Sequence, residues 1–123
     1  MNAVGSYKGS ITITSPGILA KGTIVTAAGA AASATVVGVG VVRDAVVAGD
    51  NLVIDLFGGE VSKTVLAGAA VTVGAVIAQT AAGKAIVDPA TGTVLTIGVA
   101  LTAAGADELF ELGSHMPAPC KYS

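Results

Sequence analysis

The stretch Asn51-Leu52-Val53-Ile54-Asp55-Leu56-Phe57, closed by Gly58-Gly59, decides how this chain folds. Leu52, Ile54 and Leu56 fall on one side of a pleated strand, and Val53, Asp55 and Phe57 on the other, because strand side chains alternate with period two. The two glycines then end the strand. Upstream, Ser10-Ile11-Thr12-Ile13-Thr14 alternates in the same way and stops at Ser15-Pro16-Gly17. Residues 22–26 and 35–42 read as two more strands around a bland Ala/Gly loop, and Arg43-Asp44 and Ala48-Gly49-Asp50-Asn51 are polar breaks. Downstream, residues 60–66, 75–79, 84–88, 94–101 and 108–112 continue the series, with Pro89-Ala90-Thr91-Gly92 as a turn. No run has a convincing helical period. Residues 64–73 also fit a short helix, since Ala suits either state. Many short strands between turn signals predict an all-β domain, a small β-barrel or β-sandwich.

Composition agrees with that reading and narrows the function. In 123 residues there are 6 Lys and Arg against 8 Asp and Glu, a net charge of −2. So few cations cannot track a phosphate backbone, and nucleic acid is excluded as a partner. Charged residues make up 11% and apolar residues 53%. A lone domain covers itself with more charge than this. Either the surface is bland and rich in Ser, Thr, Ala and Gly, or much of it is buried against other chains, and the second reading points to an assembly component. One histidine and one cysteine make neither a disulfide nor a conventional zinc site.

A mean hydropathy of +0.83 raises the question of a membrane. Residues 22–42 and 64–83 are long enough to span one, at roughly 20 residues each. Both read as strands instead. The first carries Thr23, Thr26, Ser33 and Thr35 among Val and Ile, with Gly29, Gly38 and Gly40 interrupting any helix. Neither has an aromatic belt or a basic flank. The N-terminus shows no secretory signal pattern.

Two halves of the chain resemble each other. Gly22-Thr23-Ile24-Val25-Thr26-Ala27-Ala28-Gly29 is similar to residues 74–83, and Val37-Gly38-Val39-Gly40 to Ile97-Gly98-Val99-Ala100. Ala48-Gly49 ahead of Val53-Ile54-Asp55-Leu56 is matched by Ala104-Gly105 ahead of Leu109-Phe110-Glu111-Leu112. Two related β-motifs would suit such a pattern. A low-complexity Ala/Val/Gly alphabet also produces such matches by chance, which leaves the repeat open at this level.

The inventory for chemistry is thin. His115 lies in a loop-like Gly/Pro stretch beside Ser114, and sequence neighbours rarely have the geometry of a nucleophile and its base. It reads as an exposed tail residue. Asp107, Glu108 and Glu111 form the densest acidic group and read as a solvated strand edge, where charge blocks unwanted pairing. Val37-Gly38-Val39-Gly40 lacks the third glycine and the Lys of phosphate-binding loops. Cys120 reads as a free thiol, implying a reducing site of synthesis. No catalytic, cofactor-binding or metal-ligating residues are assigned, and no enzyme is expected.

One family fits this pattern. Residues 74–78, Lys84-Ala85-Ile86-Val87, Thr96-Ile97-Gly98-Val99-Ala100, Ala104-Gly105 and Leu109-Phe110-Glu111-Leu112-Gly113 resemble the capsid decoration (cement) proteins of tailed bacteriophages. The resemblance covers roughly residues 10–113. It implies a β-tulip-like or jelly-roll-like domain over residues 10–113 with an N-terminal arm (1–9), while residues 114–123 read as a C-terminal tail outside the family pattern. It further implies a structural virion protein, made in the host cytoplasm, that sits on the outer surface of the icosahedral head at capsomer junctions. There it would clamp the shell against internal DNA pressure. The partners implied are the major capsid protein and the protein itself, as a homotrimer rather than a homodimer, with no membrane and no cofactor. The arm would reach along the capsid protein, making Val4, Ser6, Tyr7 and Lys8 the expected capsid contacts. The alternative is a β-structured fibre, pilus or tail assembly subunit.

Overall fold

Nine strands, every one of them paired antiparallel, form among residues 9–58, 61–91 and 93–121, the part of the chain that the computed structural model describes. The first sheet contains β1 (Ser10–Thr14), β2 (Ile24–Val25), β3 (Gly40–Val42) and β4 (Asn51–Leu56), in the order β1-β4-β3-β2. The second contains β5 (Lys63–Leu66), β6 (Val76–Gln79), β7 (Ala85–Val87), β8 (Thr93–Ala100) and β9 (Leu109–Lys121), in the order β5-β9-β8-β6-β7. The fold is thus all-β and sandwich-like. The second sheet curls until one parallel bridge, Ala67 to Ala85, links its ends, but no ladder closes it into a barrel.

Leu52 and Ile54 are fully buried, as their alternation requires, and pack with Val25, Val42 and Leu19 in the smaller core. Ile24 and Val41 lie on the opposite face of the same sheet. They join the larger core, with Ile77, Ile97, Phe110 and Leu112 from the second sheet. One sheet therefore contributes to two cores.

The repeat is structural. Leu19 and Val46 exchange two backbone hydrogen bonds of 3.0 Å; Val71 and Ala104 do the same at 2.8 and 3.1 Å. Gly22 N–H donates to Val42 and Gly74 N–H to Ala100, at 2.9 and 2.8 Å. Ser15 N–H donates to Asp50 and Ala67 N–H to Glu108, at 2.8 and 2.9 Å. Even the turn carboxylates agree, Asp50 accepting from Val47 N–H and Glu108 from Gly105 N–H. Each half has the same strand order, first-fourth-third-second, with β7 added at the far edge of the second. The correspondence is Gly22 with Gly74, but Gly40 with Gly98 and Val46 with Ala104. The pairings suggested by sequence for those later segments are thus displaced by two residues. A shift of two keeps every side chain on its own face, so alternation alone could not detect it.

Three sequence expectations change. Residues 35–39 are not a regular strand. The buried Gln79 side chain takes up that backbone instead: Nε2 donates to the carbonyls of Ser33 and Val36 at 2.6 Å each, and Gly38 N–H donates to Oε1 at 3.3 Å. Residues 114–121 are not a separate tail but a continuation of β9, paired with β8 from Ser114 opposite Gly98 to Lys121 opposite Thr93. The register slips between these ends, and Pro117 sits in the slip, where a missing N–H is tolerated. Residues 64–73, which also suited a helix, form β5 and the turn leading to the bridge at Val71.

The repeat supports a stability test. Gly22 and Gly74 have φ of +84° and +86°, a conformation that costs other residues about 1–2 kcal/mol. A Cβ at Gly74 meets open space, whereas one at Gly22 would lie 2.9 Å from Leu66 N and 3.2 Å from the Val65 carbonyl carbon. Gly74→Ala should therefore lose only the conformational cost, and Gly22→Ala about 1–3 kcal/mol more. Urea denaturation of the two variants checks this, and equal midpoints would refute it.

Candidate functional site

Three surface features stand out. The first is a polar cleft of ≈ 340 Å³ at the junction, lined by Lys21, Arg43, Asp55, Ser62, Lys63 and Thr64, among others. Arg43 lies just beyond β3 and Asp55 on β4, and they form a forked ion pair: Nη2–Oδ1 at 2.7 Å, with Nε 3.1 and 3.3 Å from the two carboxylate oxygens. These hydrogen bonds, and then the Asp55 charge, raise the Arg43 pKa above its ordinary value, so the guanidinium stays charged. Lys63 is buried, and its ammonium donates to the carbonyls of Val61 (2.8 Å) and Gly58 (3.3 Å). Such a cleft can hold charge in place. Arg43 and Asp55 are engaged with each other, Lys63 with backbone carbonyls, and Ser62 and Thr64 with Glu111.

The second feature is an apolar groove of ≈ 450 Å³ lined by Ile11, Ala27, Val39, Leu56, Phe57 and Met116. The third is the outer face of the second sheet. There Val76 pairs with Val99, and Val99 with Gly113, across β6, β8 and β9. Leu101 and Leu109 extend this exposed apolar face. It was not legible in sequence. Leu95, Ile97, Val99 and Leu101 alternate as though they share one buried face. A register shift on both sides of Ile97 breaks the alternation, so that Ile97 is buried and Val99 exposed.

The residues considered for chemistry fall apart in space. Ser114 and His115 are consecutive on β9. Ser114 Oγ accepts from Gly58 N–H at 2.9 Å, while the exposed His115 turns its Nδ1 to the Met116 carbonyl at 2.8 Å. The acidic group also separates, and it is not an edge. Asp107 pairs with Lys84 at 2.7 Å, and Glu108 closes its turn. Glu111 lies on β9, inside the sheet, and accepts from Ser62 and Thr64 hydroxyls at 2.8 and 2.7 Å. Among the described residues no group of three His, Cys, Asp or Glu is placed to hold a metal ion. Nor is any helix there long and apolar enough to cross a membrane.

The expected contact residues Val4, Ser6, Tyr7 and Lys8 lie outside the described residues. The chain enters the structure at Gly9, whose carbonyl accepts from Leu56 N–H at 3.0 Å, beside the polar cleft.

A family model described as phage cement protein matches residues 4–112. No curated protein and no solved structure matches the chain.

Proposed function

The chain belongs to the phage cement protein family, and on that premise we propose that it binds the outer surface of the icosahedral head at capsomer junctions and stabilises the shell against internal DNA pressure. The family is one of structural virion proteins rather than enzymes, and its members associate with the capsid. The family match carries the reading. The physical argument beside it is the surface: a charge-poor domain with exposed apolar faces suits burial between other proteins. Many weak contacts over a symmetric lattice then add to firm attachment by avidity. The partner is the major capsid protein, and the protein acts as a homotrimer, made in the host cytoplasm and carried on the virion.

Purified protein added to expanded, undecorated heads should appear in electron micrographs as regular protrusions at capsomer junctions. Decorated heads should also keep their DNA at temperatures that empty bare ones. Bare heads beside free protein would refute the reading.

The arm has its own test. Residues 1–8, with Val4, Ser6, Tyr7 and Lys8 as the contacts, are proposed to pair along the capsid protein by strand addition. Removing them should weaken head binding by about 10-fold or more, roughly 1.4 kcal/mol, while leaving the circular dichroism spectrum unchanged. Unaltered binding in a sedimentation assay would rule the arm out.

A further inference from the structure

The contact between the two halves is directional. The inner face of the second sheet packs on the outer face of the first, where Ile24 and Val41 are 0% and 2% exposed. At the edge, Leu66 N–H donates to the Gly22 carbonyl at 2.9 Å. From the second half, Lys63, Gln79 and Ser114 reach back and hold backbone groups of residues 33–38 and 58.

The repeat transfers both sides of this contact to places where they are open. On the receiving side, Ile24 corresponds to Val76 and Val41 to Val99, which are 46% and 41% exposed. Gly22, packed against Leu66 and Leu109, corresponds to Gly74, which faces open space. On the docking side, Lys63, Gln79, Ile97 and Ser114 correspond to Ile11, Ala27, Val39 and Leu56. Those four residues line the apolar groove. The groove and the outer face of the second sheet are therefore the two halves of one contact that the chain already makes internally.

The residue types change in a telling way. Where the junction is filled within the chain, polar residues flank its apolar centre of Ile24, Val41 and Ile97: Lys63, Gln79 and Ser114 on one side, Lys21, Arg43 and Asp55 on the other. Where it is open, the equivalents are Ile11, Ala27 and Leu56, and Val73, Leu101 and Gly113. Covalent linkage holds the internal junction together at high effective concentration. An association between separate chains must supply its own driving force, and buried apolar surface is the main source.

We infer that the groove of one copy receives the outer face of the second sheet of another copy, head to tail, repeating the contact that joins the two halves. The bond from Leu66 to Gly22 becomes one from Thr14 N–H of one copy to the Gly74 carbonyl of the next. Such a contact joins two different patches, so it can close into a ring. It rests on the internal repeat and not on attachment to heads.

Two variants at exposed positions test it, with circular dichroism to show that each is folded. Ala27→Asp spoils the groove and Val99→Asp the sheet face. In analytical ultracentrifugation at about 50 μM, where a micromolar contact is well populated, the wild type should sediment as an oligomer. Each variant alone should associate at least about 30-fold more weakly, the effect of losing a central contact residue. Mixed together, they should form a one-to-one dimer and nothing larger, because one intact groove meets one intact face. A monomeric wild type, or variants that associate normally, would overturn the inference. So would a mixture that fails to pair, which would indicate a contact between identical patches. Association lost on deleting residues 1–8 but untouched by Val99→Asp would give the groove to that segment and equally overturn it.

Discussion

Ile97→Asp should leave the protein unfolded or insoluble, while Val99→Asp, two residues further along the same strand, should fold. Ile97 is fully buried in the larger core, between the sheets, with Ile24, Phe57 and Phe110 in the same cluster. A carboxylate there would lose its hydration with no cation in that cluster to replace it. The cost of roughly 4–5 kcal/mol or more is close to the whole stability of a small domain, roughly 5–15 kcal/mol. Val99 is exposed on the other side of the register shift. Solubility and the circular dichroism melting curve check the pair. A soluble Ile97→Asp variant with a cooperative melt would show that β8 does not supply the core in this register.

Gly40→Val and Gly98→Val should each destabilise the domain by more than about 3 kcal/mol. The two glycines occupy the same place in the repeat. A Cβ on Gly40 would overlap the Asp55 carbonyl oxygen of β4, and one on Gly98 the Gly113 carbonyl oxygen of β9. These are backbone atoms held in antiparallel ladders, so neither can swing aside as a side chain would. Gly98 also has φ of +150°, which a β-branched residue rarely adopts. Gly17, which has open space around it and no such backbone angle, provides the comparison. Gly17→Ala should stay within about 0.5 kcal/mol of the wild type. Urea midpoints that left all three variants alike would show that β3 and β8 stand further from their neighbours than the glycines require.

The glycines show how far the chain could be read directly. Val37-Gly38-Val39-Gly40 and Ile97-Gly98-Val99-Ala100 were legible as similar segments. Their true correspondence, Gly40 with Gly98, follows from the hydrogen bonds, because a two-residue slip conserves the pattern of faces. Similarly, Glu108–Leu112 was legible as a final strand, but its continuation through Pro117 and Pro119 was not. Two prolines argue against a strand unless an irregularity and an open edge accommodate them. β9 has both, since β5 covers it only from Leu109 to Leu112.

The candidate surfaces were less legible than the fold. Low charge was compatible with a surface buried against partners. It did not indicate where, because burial at an interface depends on which apolar positions the domain leaves uncovered.

By itself the sequence determined the class of fold, the position of most strands and the family. Alternation and turn residues are local, and each strand's faces are written within a few neighbouring residues. Only the tertiary structure decided the register of the repeat, the exposure of Val99 beside buried Ile97, and the opening of the groove at Ile11 and Leu56. Each depends on which backbone lies opposite, a relation between residues far apart in the chain, and a period-two pattern is blind to it.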